Sequence, residues 1–243
     1  MKQAVTVACI LGIIMLFGST ANALSTVVET TPHNLTKIHG LSEFATSGGD
    51  MAGMSVVVYT SYGVDIQPWQ ALGEQYGGAF GWGWSLTQSG DTYKSPWVFS
   101  VRDPRISIYH MTINAIAGGT VFDLTGPEYG GDSFGTDGSV RGWTFEVAEP
   151  TYLYSSTEAE VQIEALYSDI VQLEGAQGAV GDLFGSLDIN FGGLTRFACG
   201  SALRFFADTD TIAAVPEPQT LMLLGIGLVG LASISRRRLI RKG

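Results

Sequence analysis

Leu183-Phe184-Gly185-Ser186-Leu187-Asp188-Ile189-Asn190-Phe191 is the stretch on which the fold class turns. Leu183, Leu187, Ile189 and Phe191 share one parity, and Ser186, Asp188 and Asn190 take the other. Successive side chains of a strand point to opposite faces, so this run predicts one face in a core and one in water. The alternation recurs outward. Trp143, Phe145 and Val147 alternate with Thr144 and Glu146, and Val161, Ile163 and Ala165 alternate with Gln162 and Glu164; Leu203, Phe205 and Ala207 close the series. β-Branched and aromatic runs add Ser55 to Thr60, Trp97 to Val101, Arg105 to Ile116, Thr120 to Leu124 and Ile170 to Leu173. Within Arg105 to Ile116 the apolar set shifts from Ile106 and Ile108 to Met111 and Ile113, which predicts a bulge near His110 or burial of both faces. Gly83 separates Trp82 from Trp84, so both indoles are expected on one side of a strand. Leu24 to Ser47 reads as polar. About ten strands, punctuated by turns at Gly90-Asp91 and Gly118-Gly119, predict an all-β fold, an antiparallel β-sandwich of jelly-roll type.

The two ends read differently. Lys2, an apolar run from Ala4 to Phe17 and Ala21-Asn22-Ala23 form the n-region, h-region and cleavage site of a signal peptide over 1–23. Signal peptidase would leave Leu24 as the new N-terminus. At the other end Val215-Pro216-Glu217-Pro218 precedes an apolar run from Leu221 to Ile234, followed by Arg236, Arg237, Arg238, Arg241 and Lys242. No charge falls within 218–235, and a helix of that length spans roughly 27 Å, close to the hydrocarbon thickness of a bilayer. A single transmembrane helix over 219–235 is therefore expected in the inner membrane. The terminal cations resist translocation and stop the chain there, which places the body outside. The expected organisation is a signal peptide at 1–23, an extracellular β-sandwich at 24–212 and a sorting segment at 213–243.

Val215, Pro216, Glu217 and Pro218, the short apolar helix and the basic end together resemble the PEP-CTERM sorting signal of Gram-negative bacteria. The resemblance implies that an exosortase handles the chain near Pro-Glu-Pro, and it links the chain to exopolysaccharide and biofilm. The run from Gly200 to Thr211 resembles the closing strand of a group of PEP-CTERM proteins, as do Asp50 to Met54 and Gly142 to Glu146. That similarity implies an exported β-sandwich of unassigned activity.

Between residues 24 and 215 the chain carries seven cations against 22 acids, a formal charge of −15 that the −10 of the whole chain conceals. Such a body is unsuited to nucleic acid or an anionic lipid surface. Cys199 is the one cysteine left after signal removal, so an intrachain disulfide is excluded; a buried thiol between Phe197 and Leu203 is expected, with intermolecular bridging as the alternative. His33, His39 and His110 have no partners at catalytic or ligand spacing. No nucleophile elbow, zincin helix or phosphate-cradling loop occurs, so catalytic residues are expected to be none.

Three binding chemistries stay open. Trp69, Trp82, Trp84 and Trp97, with Tyr76, fall within 29 residues among glycines, as in stacking platforms for sugar rings or in an aromatic core. Gly130 to Gly138 resembles a calcium-binding nonapeptide, with Asp132 and Asp137 as candidate ligands and Asp103 or Asp50 supplied by the fold. Calcium is the one cofactor this pattern suggests. Asp208 and Asp210 point the same way on a strand, with solvent rather than a cation expected between them. The leading reading is a non-enzymatic cell-surface or extracellular-matrix protein that binds exopolysaccharide. The alternatives are a carbohydrate-active hydrolase or lyase, using acids such as Glu158 or Asp103, and a calcium-stabilised adhesion module.

Overall fold

The computed structural model describes residues 24–124, 142–151, 161–175, 181–192, 197 and 199–214. These form strands and one three-residue 3-10 turn, Ile116–Gly118. The predicted signal peptide, the sorting segment from 215 onward with its apolar helix, Asp132, Asp137 and Glu158 all lie outside the described residues. Among the described residues no helix is long and apolar enough to cross a membrane.

The strands make two sheets. The nine-stranded sheet contains β1 (Leu24–Ile38), β2 (Leu41–Glu43), β3 (Ser55–Thr60), β4 (Gly63–Pro68), β9 (Ile108–Asn114), β10 (Thr120–Asp123), β12 (Val161–Leu173), β13 (Leu183–Gly192) and β15 (Asp208–Ile212). The six-stranded sheet runs β11 (Glu146–Val147), β14 (Ala202–Phe206), β8 (Trp97–Val101), β7 (Trp84–Ser89), β6 (Tyr76–Gly81) and β5 (Gln70–Ala71). One pairing departs from the all-antiparallel expectation: β1 runs parallel to β12. Its residues were the polar stretch after Ala23. They form a strand because Thr26, Val27, Val28, Thr30 and Thr31 favour extended backbone and β12 offers a continuous partner. Val28, Thr30, Thr36 and Ile38 are the more buried set, but two of them are threonines and Val27 and Leu35 stand exposed on the other parity, so the sequence carries no clean apolar alternation.

A single apolar cluster draws on both sheets. Val56, Val58, Met111, Ile113, Leu187 and Ile189 come from the larger sheet, and Leu86, Phe99, Leu203 and Phe205 from the smaller. Trp97 stands among them with no exposure, stacked on Phe205 at 6.0 Å and edge-on to Trp69 at 5.2 Å. Both indole N–H groups are satisfied: Trp97 Nε1 donates to the Ala207 carbonyl at 2.9 Å and Trp69 Nε1 to the Gly48 carbonyl at 2.8 Å. Gly77 has no Cβ because one would collide with the Gly48 carbonyl and the Trp69 indole nitrogen. Here glycine makes room for a large ring.

Two local departures from regular alternation shape the larger sheet. Tyr59 pairs with His110 and Thr60 with Ile108, which leaves Tyr109 as a bulged residue beside His110. On β13 the parity changes. Phe184 joins the main core with Leu187, whereas Leu183 joins a second cluster with Ile38, Val121, Val171 and Leu173. The change falls at Gly185, which lies against Asp169, a residue at φ 60. A side chain at Gly185 would meet Ile116 at 2.8 Å, so the distortion needs glycine.

The core makes a quantitative prediction. Trp97→Ala should cost about 3–5 kcal/mol in urea unfolding, from lost burial plus the cavity. Trp69→Phe should cost about 1–3 kcal/mol, chiefly the unpaired Gly48 carbonyl.

Candidate functional site

β6 and β7 are joined by a two-residue turn, Trp82-Gly83, closed by the pairing of Gly81 with Trp84. Gly83 has φ 77, the left-handed backbone that a turn demands and that glycine supplies without strain. The indoles therefore part company instead of sharing a strand face. Trp84 is 3% exposed and packs into the core, whereas Trp82 is 49% exposed at the hairpin tip. Trp69 and Trp97 are core residues as well, at 2% and 0%. Three of the four candidate glycan-stacking tryptophans are thus committed to packing, because alternation and the inter-sheet cluster claim them. Tyr76, at the start of β6, is 39% exposed.

The surroundings of Trp82 are ordered. Tyr62, 65% exposed, meets its ring edge-on at 5.2 Å. The Arg105 guanidinium lies 4.9 Å from the ring centroid, a cation–π distance. Arg105 is itself fixed by Asp103, with Nη2 donating to Oδ2 at 2.6 Å and Nε to Oδ1 at 2.9 Å. The side-chain hydrogen bond from Arg105, then that of its backbone N–H, lowers the Asp103 carboxyl to about 2. A glycosidase acid needs the opposite shift, so Asp103 is poorly placed as a proton donor. Asp65 on the edge strand β4 ties the turn down. Its Oδ2 accepts from the Trp82 backbone N–H at 3.0 Å and from the Trp84 indole N–H at 2.9 Å, while Gln67 donates to Oδ1 at 2.7 Å. One carboxylate thus links the larger sheet to the hairpin of the smaller. Val64 and Ile66, of the opposite parity on the same strand, are exposed.

Other groups fall elsewhere. Tyr59 stacks on His110 at 5.0 Å, and His110 Nε2 lies 3.0 Å from Asp188 Oδ1. Burial works against the charge of Asp188, yet the hydrogen bonds of His110 and Thr112 hold its carboxyl low. His39 pairs with Glu174. Cys199 is half-buried, its thiol donating to the Arg102 carbonyl at 3.1 Å. A groove of about 290 Å³ crosses β1, β12 and β13, lined by Glu29, Gln162, Glu164 and Asn190.

The acids of the closing strand correct a second expectation. Asp208 and Asp210 are not separated by solvent: they are 1% and 0% exposed. Asp123 lies directly opposite Asp208 in the antiparallel pair, and Val121 lies opposite Asp210, so the three carboxyls share a sheet face. One ligand atom from each of Asp123, Asp208 and Asp210 lies within 4.8 Å of the others. Asp208 Oδ1 accepts from Thr92 Oγ1 at 2.7 Å and from the Thr209 N–H at 2.9 Å. Its Oδ2 and both Asp210 oxygens meet no donor among the described residues. Burial first, then the charges of Asp123, Asp208 and Asp182, pushes Asp210 up to about 9. Burial likewise raises Asp208 to about 7, against the bonds from Thr92 and Thr209. Neither Asp50 nor Asp103 joins this group; Asp50 caps its own turn by accepting from the Ser47 N–H at 2.9 Å and hydroxyl at 2.6 Å. Asp123 escaped sequence reasoning, although an acid inside the apolar run Thr120 to Leu124 was a usable signal.

The described residues thus define a strand-built body with an aromatic hairpin tip outside and a carboxylate cluster inside. A model of the PEP-CTERM protein-sorting motif matches residues 214–238. The chain carries that motif after its last described strand, as exosortase substrates do, and this marks it as an exported protein sorted to the cell surface. No curated protein and no solved structure matches the chain.

Removing the tie at Asp65 tests the construction of the hairpin. Asp65→Ala leaves the Trp84 indole N–H without its acceptor and should cost about 1–3 kcal/mol. Urea unfolding followed by tryptophan fluorescence measures it.

Proposed function

We propose that the exported body is a non-catalytic β-sandwich that binds polysaccharide of the cell surface or matrix at the Trp82 hairpin tip. The observation that carries this reading is the position of Trp82: half exposed, backed by Tyr62 and Arg105, and anchored through Asp65. An indole face matches the apolar face of a pyranose, and the neighbouring phenol, guanidinium and carboxylate offer hydrogen bonds to ring hydroxyls. Arg105 is the one cation placed there by these contacts, and its charge is shared with Asp103, which favours neutral or mildly acidic sugars over highly charged polyanions. The formal −15 between residues 24 and 215 points the same way. Rigid anchoring limits the entropy lost on binding. The sorting motif supplies the setting, since it brings this surface to where exopolysaccharide is found. A signal peptide at 1–23 and a transient membrane helix at 219–235 complete the proposal.

Binding of the exported protein to a panel of bacterial polysaccharides, including the producing cells' own matrix, tests the reading. Trp82→Ala should weaken binding about tenfold, in keeping with the loss of a stacking partner worth roughly 1.4 kcal/mol, and leave the unfolding midpoint unchanged. Equal binding by the variant, or none by either protein, rejects the site. Release of sugar from the same panel would reject the non-catalytic part. The mass of the exported species locates both cleavages.

A further inference from the structure

The aromatic hairpin leaves the carboxylate cluster of β10 and β15 unexplained. Surface acids are common in an acidic exported protein, but these are not surface acids. Asp123, Asp208 and Asp210 have at most 1% exposure. Burying carboxylates close to one another, with some oxygens left unsatisfied, is among the most costly choices a fold can make. Three of their oxygens, Oδ2 of Asp208 and both of Asp210, are buried and face no donor among the described residues. The geometry is nonetheless tightly held. Antiparallel register fixes Asp123 opposite Asp208, and Asp208 is oriented through Oδ1 by Thr92 and the Thr209 N–H, which leaves Oδ2 directed elsewhere. Gly142 packs on Asp123 so closely that a Cβ would stand 2.7 Å from its carboxyl carbon.

We propose that Asp123, Asp208 and Asp210 form an internal site for a hard divalent cation, with calcium the best fit. The donor set is all carboxylate oxygen, with neither imidazole nor thiolate, which favours calcium, magnesium or manganese over zinc or copper. A buried cage of carboxylates favours calcium, which takes a largely protein-supplied oxygen shell in flexible geometry, over magnesium, which demands near-octahedral geometry and gives up its waters reluctantly. Asp182, whose charge acts on Asp210, lies near enough to add to the negative field. The cation would join β10 to β15, the last strand before the sorting motif, and so fasten the end of the body.

The exported protein, stripped with chelator and titrated with calcium chloride or magnesium chloride, provides the test. Thermal unfolding should move up by about 5 °C or more as calcium reaches millimolar levels, with a smaller response to magnesium. Asp210→Asn removes one ligand charge and one source of repulsion. The stripped variant should melt no lower than the stripped wild type, and its calcium response should vanish or need at least tenfold more calcium. Asp188→Asn, outside the cluster, should respond as the wild type does. An unchanged wild-type melting temperature across millimolar calcium, together with no divalent metal by elemental analysis of unchelated protein, overturns the proposal. A full calcium response in Asp210→Asn also overturns it by locating the ion elsewhere. Should Asp210→Asn fail to accumulate, Asp123→Asn read in the same way decides the matter. Polysaccharide binding at Trp82 is measured separately, so either reading can fail without the other.

Discussion

One hydrogen bond sits where the two sheets are held by a single residue of chain. Ala207 separates β14, in the smaller sheet, from β15, in the larger. Strands that change sheet in this way form the corner of a layered β fold, and the backbone groups at a buried corner still need partners. Trp97 supplies one by donating its indole N–H to the Ala207 carbonyl. The Asp208 N–H then donates to the Trp143 carbonyl at 3.0 Å, and Asp208 itself caps the Thr209 N–H. The stacking of Trp97 on Phe205 and its contact with Trp69 follow from the same position. The corner explains why tryptophan, rather than another large apolar residue, stands at the centre of this core. It must fill volume and satisfy a backbone acceptor at once.

The corner also creates the carboxylate cluster. Continuing β14 straight on would have carried Asp208 and Asp210 out with the alternate face of the smaller sheet. Crossing at Ala207 turns them instead onto β10, where Asp123 is already buried on the parity of Val121. Residues 207 to 210 are all buried, on both parities. The acids are consequently part of the architecture and not an ornament on it.

How much of this was legible depended on whether a feature was written in period two. Ser55 to Thr60 and Trp97 to Val101 are found as strands at the bounds read from sequence, because β-branched and aromatic runs between turn signals carry their own message. The strand opening at Leu24 carried none, since its more buried parity includes Thr30 and Thr36 while Val27 and Leu35 are exposed on the other, and its partner, β12, comes more than a hundred residues later. Trp82 and Trp84 misled for a local reason. A glycine between two indoles preserves alternation if it is extended and destroys it if φ is positive, and sequence alone does not choose. The acids at 208 and 210 were legible as a pair on one strand face, but the third member was not, because cross-strand register is a long-range property. The sorting motif needed no folded context at all, being a linear order of Pro-Glu-Pro, apolar run and cations.

That contrast bears on how a body and a tail of such different kinds coexist in one chain. The last strand, β15, is not an edge: it lies between β2 and β10, paired on both sides. Hydrogen bonding continues just past it, with the Ala213 N–H donating to the Gly40 carbonyl at 2.8 Å, and the sorting motif begins at 214. Backbone held in a sheet interior cannot adopt the extended, accessible form that a peptidase requires, whereas an exposed stretch can. The sheet-held part of the described chain therefore ends where the motif begins. Among the described residues, the core, the Ala207 corner and the carboxylate cluster are all built from chain that precedes Pro-Glu-Pro. Every described strand thus precedes the address, an order that suits a tail handled separately from the body.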